Sequence, residues 1–121
     1  ALARGAWVIC DRFYDSTRAY QVTGGGVDPG VLAALNRLIE APTPDLTFVL
    51  DLDPAKGLAR SRGATKGEDR FERKDGAFHA KVRAAFLEIA AAEPVRCVVL
   101  DAGKSASEVL QHALGAINTR L

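Results

Sequence analysis

Residues Leu46 to Leu52 read LTFVLDL, and Asp53-Pro54 follows at once. The apolar residues run on rather than alternate with polar ones, the pattern of a strand covered on both faces. An aspartate and a proline after it suit a helix start, because aspartate caps free N–H groups and proline tolerates the first helical position. The stretch therefore reads as a buried strand feeding a helix. Two further runs share the form: Ala6 to Cys10 (AWVIC) ends at Asp11, and Val95 to Leu100 (VRCVVL) ends at Asp101.

Helical patterns fill the intervals. Asp28-Pro29 precedes Val31, Leu35, Leu38 and Ile39 at helical spacing. Asp53-Pro54 opens a short segment containing Leu58, and Phe78, Val82, Phe86 and Ile89 stripe a long helix running to about Ala92. Ser105-x-x-Glu108 is a capping box ahead of Leu110, Leu114, Ile117 and Leu121 on one face. Pro42-Thr43-Pro44 and Glu93-Pro94 break the chain before the second and third strands. Strands alternating with helices predict an α/β fold: a parallel sheet flanked by helices, joined by right-handed crossovers. The 121 residues make one domain, 1–121. Three strands are few for such a sheet and the sequence holds no Met, so the expectation is a portion of something longer.

Composition narrows the function. Sixteen Lys and Arg against fifteen Asp and Glu leave a net charge of +1, which argues against a duplex DNA binder. With 48% hydrophobic and 26% charged residues the chain is an ordinary globular mixture rather than a disordered one. No apolar run approaches the roughly 18 residues of a membrane span, and no signal peptide is expected. Cys10 and Cys97 lie in apolar runs without metal-ligand or CxxC spacing, so both read as small buried hydrophobes in a reducing cytosol.

In parallel sheets, ligands bind beyond the carboxyl ends of the strands. After AWVIC comes Asp11-Arg12-Phe13-Tyr14-Asp15-Ser16-Thr17, with Tyr20 and Gln21 beyond. An arginine there can present its planar fork to a phosphate, and an adjacent aspartate can orient that fork or hold a metal through water. Ser16, Thr17, Tyr20 and Gln21 add hydrogen-bonding groups and an aromatic face. A helix cap with an ion pair at a strand–helix turn fits the same residues. The stretch Arg60 to Lys74 (RSRGATKGEDRFERK) carries six basic residues against three acids, with Gly63 and Gly67 as flexible points. A basic, glycine-punctuated loop can act as the lid of a phosphotransferase; by composition alone, a solvated surface loop is the simpler reading. Asp101-Ala102-Gly103-Lys104-Ser105 imitates the tail of a phosphate-binding P-loop, but G-x-x-x-x-G-K-[ST] would need a glycine where Val98 stands, so it reads as a helix start. Gly24-Gly25-Gly26 reads as a hinge or loop, and His79 and His112 as surface or packing residues.

Taken in order, these pieces resemble the bacterial thymidylate kinase family. The matching runs are ALARGAWVICDRF, STRAYQ, PDLTFVLDLDP, EDRFE, FHAKVRAAFLEIA and VVLDA, spanning essentially the whole chain. The resemblance implies the fold of P-loop nucleoside monophosphate kinases with its N-terminal strands absent, and a cytoplasmic enzyme of dTTP synthesis that phosphorylates dTMP with ATP and Mg²⁺. It places Arg12 on the dTMP phosphate, Asp11 near the metal and phosphate site, Thr17 at the thymine edge, Tyr20 beside the deoxyribose and Gln21 nearby. It makes residues 60–74 the lid, with Arg62, Lys66 and Arg70 facing phosphate and Asp69 and Glu72 lining the nucleotide side. Ala102 and Gly103 would lie near the adenine of ATP.

Three departures accompany it. The family's N-terminal P-loop and thymine-stacking arginine helix have no counterpart here, and the family places the P-loop strand between those of Trp7 to Cys10 and Leu46 to Leu52. The usual Tyr-Gln-Gly-x-Gly-Arg-Gly run is Tyr20-Gln21-Val22-Thr23-Gly24-Gly25-Gly26, without the arginine, and Phe13 stands where a tyrosine or histidine is common. The chain is thus expected to be the carboxyl-terminal portion of such a kinase, homodimeric when complete, bound to neither nucleic acid nor membrane, and inactive alone. The alternatives are a non-catalytic nucleotide- or partner-binding fragment, or a related deoxynucleoside kinase.

Overall fold

The computed structural model describes residues 1–62 and 76–121, the side chains of 22–24 and 62 excepted. Two strands, β1 (Thr47–Asp51) and β2 (Cys97–Asp101), pair in parallel with Thr47 opposite Cys97 and Asp51 opposite Asp101. The described helices are α1 (Tyr14–Thr17), which continues as π-helix over Arg18–Gly24, then α2 (Pro29–Leu38), α3 (Pro54–Arg62), α4 (Gly76–Ala92) and α5 (Ala106–Arg120). The parallel sheet flanked by helices is thereby observed, and α4 ends at Ala92 as its apolar stripe implies.

Local chemistry accounts for the helix starts. The Asp28 carboxylate accepts from the Gly30 N–H at 2.6 Å, and that of Asp53 accepts from Ala55 N–H at 2.9 Å. At Ser105 both halves of the capping box form: its hydroxyl accepts from Glu108 N–H at 3.2 Å, and the Glu108 carboxylate accepts from Ser105 N–H at 3.0 Å.

The core lies between α4 and the strand pair. Val82, Ala85, Ile89 and Ala90 of α4 meet Val49 of β1 and Cys97 of β2, while Phe78 and Phe86 pack against the edge. Ala19, 0% exposed, presses the π-helical segment onto this cluster. A methyl-sized residue there lets the segment approach closely, so the packing of α4 sets where α1 sits.

Three expectations need correction. Ala6 to Cys10 forms no strand: Trp7 is 72% and Ile9 95% exposed. A continuous apolar run states what a segment can bury, but a ladder needs a neighbour, and among the described residues β1 and β2 pair only with each other. For the same reason Cys10 is exposed, and only Cys97 is buried. On α5, Ile117 of the expected face is half-buried together with Val109 and Ala113, while Leu110 and Leu114, and Leu121 just beyond the helix, are exposed, so the side turned to β2 only partly coincides with the expected one. No helix among the described residues is long and apolar enough to cross a membrane.

Candidate functional site

The segment that turns into α1 carries the densest group of candidate residues. Arg12 has φ +65°, a left-handed conformation that costs a non-glycine residue about 1 kcal/mol or more, and it reverses the chain just before Phe13 caps the helix. Its guanidinium carbon lies 4.8 Å from the centroid of the Tyr20 ring, a cation–π pair. Arg12, Phe13, Ser16, Thr17, Tyr20 and Gln21 together line a shallow cavity of about 290 Å³. The widened π-helical turns that carry Tyr20 and Gln21 are a feature often found at functional sites. Glycine ends them for a steric reason: a Cβ on Gly25 would stand 2.9 Å from the Gln21 carbonyl oxygen, which accepts from both Gly25 and Val27 N–H.

The opposite side of α1 is anchored by charge. Arg96, immediately before β2, donates from Nη1 to Asp15 Oδ2 at 2.7 Å and from Nη2 to Asp15 Oδ1 at 3.2 Å, and both residues are buried. The same guanidinium reaches Thr47 Oγ1 at 2.8 Å and Glu93 Oε2 at 2.8 Å, and Arg18 bridges Asp15 and Glu93 at 3.2 and 3.1 Å. Hydrogen bonds from Arg96 hold the Glu93 carboxyl below its ordinary range, and the bonds to Asp15 raise the guanidinium's already high pKa. Burial pushes the phenol of Tyr14, under the Arg96 guanidinium, upward.

At the carboxyl ends of the strands, Asp51 and Asp101 stand side by side, and each has its own partner. Arg83 of α4 grips Asp51 with bonds of 2.7 and 2.9 Å and lies 3.8 Å from Asp53. Asp101 accepts from Gly103 N–H at 2.8 Å, tightening the turn that starts α5. Arg60 of α3 donates to the Ala102 carbonyl at 3.0 Å. The root of the basic stretch is thus tied to the turn holding Ala102 and Gly103, two features the sequence assigned to separate tasks.

Of the sequence candidates, Arg12, Thr17, Tyr20 and Gln21 are brought together. Asp11 is exposed beside them, outside the cavity lining. Arg62 ends α3 with its side chain outside the described residues, as are Lys66, Asp69, Arg70 and Glu72 altogether. Arg96 and Arg83 were not foreseen, and Asp15 and Arg60, each named within a candidate stretch, were given no partner there. A charged residue interrupting the apolar run VRCVVL was the one signal for Arg96. His79 lies edge-on to Phe78, as a packing residue would. No group of three His, Cys, Asp or Glu side chains among the described residues could hold a metal.

The fold belongs to the P-loop kinases: a crystal structure of thymidylate kinase from Ehrlichia chaffeensis superposes with a TM-score of 0.71 at 30% identity, over 97% of this chain and 53% of that one. The thymidylate kinase family model matches residues 1–113, and the chain belongs to that family. Thymidylate kinases of Nitrobacter hamburgensis and of a Bradyrhizobium strain are each 48% identical over 124 aligned residues, covering all of this chain and 54% and 55% of their own lengths. The chain spans about half the length of the curated relatives it matches.

Proposed function

We propose that this chain supplies the dTMP-binding part of a thymidylate kinase, which transfers the γ-phosphoryl group of ATP to dTMP. The observation that carries the reading is the convergence of Arg12, Thr17, Tyr20 and Gln21 on one cavity in a chain of this family. Phosphoryl transfer asks the protein for positioning and charge stabilisation rather than covalent chemistry. Arg12 supplies two parallel N–H donors for the dTMP phosphate, and the ring of Tyr20 beneath it keeps the fork from swinging into solvent. Thr17 and Gln21 offer hydrogen bonds to the base edge, while the flank of Tyr20 packs on the deoxyribose. Arg62, Lys66 and Arg70 bring positive charge to the transferring group, Asp69 and Glu72 line the nucleotide, and Ala102 and Gly103 border the adenine.

Magnesium fits this donor set in a limited way. The ion keeps several waters and takes few protein carboxylates when phosphates are its main ligands, so a single carboxylate such as Asp11 would suit it as a partner through water. When bound, it neutralises charge on the ATP phosphates. The enzyme is proposed to be cytoplasmic and homodimeric. Its 121 residues hold no G-x-x-x-x-G-K-[ST] run, so the chain by itself is expected to bind dTMP and to turn over slowly or not at all. A coupled ADP-release assay with MgATP and dTMP tests this, comparing the chain with a version extended upstream through its native gene. Activity confined to the extended protein supports the reading; activity in neither, with no dTMP binding by the chain, overturns it.

A further inference from the structure

Asp15 and Ala19, one helical turn apart, point into the protein, while Arg12, Ser16, Thr17 and Tyr20 meet the cavity. The helix therefore has an anchored side and a working side, and its roll about its own axis decides where the working side points. Ala19 fixes how close the segment comes to α4, and Tyr20, further along, lies against Phe78 and Phe86; at the start of α1 neither of them fixes roll. Asp15 does. Its two oxygens are taken by two nitrogens of Arg96, a planar two-point contact that a rotated helix could not keep. Arg96 is itself clamped, to Thr47 at the start of β1 and to Glu93 just past the end of α4, so that all its Nη atoms have acceptors. Only Nε is buried without a partner.

Stability alone is a weak reason for this arrangement, since apolar residues of similar volume often replace a buried ion pair at no loss. Orientation is a better one. Arg12 lies three residues before Asp15 in a strained left-handed conformation, and such strain persists only where the surroundings hold it. The contacts of Arg12 itself are slight: the face of Tyr20, and a Cys10 thiol 3.4 Å from its carbonyl. The firm constraint is the start of α1.

We infer that Arg96 is a positioning residue for the phosphate site: through Asp15 it sets the roll of α1, and so holds the guanidinium of Arg12 over the ring of Tyr20. The part of this inference that concerns dTMP rests on the function proposed above; the part that concerns Arg12 and Tyr20 does not.

The test uses the whole 121-residue chain and the variant Asp15→Leu/Arg96→Met, which removes both charges and keeps the volume apolar. Circular dichroism and a thermal melt report whether it folds. NMR of the Arg12 side chain reports its place, because protons over an aromatic face resonate upfield. Titration with dTMP reports the site. The expected result is a folded variant whose Arg12 signals move to solvent-like positions and whose dTMP affinity falls about tenfold or more. A folded variant with unchanged Arg12 signals overturns the inference. If the parent chain does not bind dTMP, the functional reading fails, while the Arg12 signals still decide the positioning role. Should the double variant not fold, Arg96→Lys takes its place: it keeps the charge but loses the fork, and the same shift of Arg12 signals is expected.

Discussion

Arg83, on the long helix α4, donates from Nε and Nη2 to the two carboxylate oxygens of Asp51 at the carboxyl end of β1, at 2.7 and 2.9 Å. This contact joins the core helix to the strand edge where ligands of parallel sheets gather, and it draws the Asp51 carboxyl below its ordinary range. A carboxylate whose folded pKa is depressed contributes stability above its unfolded value, near 4, and loses it as pH falls through the lower folded value. Melting temperature should therefore decline from about pH 4 downward, and the decline should be shallower in Arg83→Met, which has already lost the contact at pH 7. Parallel pH–melting curves for the two proteins would refute the assignment.

Removing only one partner of the Asp15–Arg96 pair should be far worse than removing both. Arg96→Met leaves Asp15 buried without its main partner, at a cost of about 3–5 kcal/mol. Urea unfolding of the two single variants and the double variant gives the coupling directly. Additive losses would show that the pair is not acting as one unit.

Arg12→Gly separates strain from binding. Glycine accepts the left-handed backbone freely, offsetting the lost cation–π contact, so stability should change by less than about 1 kcal/mol. The affinity for dTMP, measured by calorimetric titration, should fall at least about tenfold. A variant that binds dTMP like the parent would remove Arg12 from the phosphate site.

Gly25→Ala forces a methyl group to 2.9 Å from the Gln21 carbonyl oxygen, and Gly26→Ala puts a side chain at φ +70°. Each should cost about 1 kcal/mol or more, a few degrees in melting temperature for a domain of this size. Gly76→Ala, where none of the described residues lies within 4 Å of the added carbon, is the matched control and should not destabilise.

The two thiols should react at very different rates. Cys10 is exposed, whereas Cys97 is buried and its pKa is raised by that burial, so the reactive thiolate is scarce there. Under native conditions a chromogenic disulfide reagent should titrate one thiol quickly and the second only on unfolding. Two fast thiols would contradict the packing of β2.

Much of this architecture is legible in the sequence because it is local. Asp28, Asp53 and Ser105 cap helices through groups two or three residues away, and the stripe from Phe78 to Ile89 shows the buried face of α4. The grouping of Arg12, Thr17, Tyr20 and Gln21 is also local, since one continuous helical segment carries them. What escapes is tertiary. Arg96 finds Asp15 across 81 positions, and no spacing rule connects them. Nothing in the apolar stripe of α4 pairs Arg83 with Asp51 of β1, another contact between distant positions. Ala6 to Cys10 fails for a different reason, because its pattern describes an environment that only another strand can provide.

The parallel register of β1 and β2 also has a temporal consequence. Thr47 and Cys97 are about fifty residues apart, and a parallel pair cannot zip from a tight turn, so the chain must close a long loop before any rung forms. An isolated two-stranded ribbon is marginal in water, which makes the docking of α4 and the pairing of the strands one cooperative event. Refolding should be slow for a chain of this length, and Val82→Ala or Ile89→Ala should retard it more than changes on α5. The helix that shapes the core would then also be the one that sets the pace of its assembly.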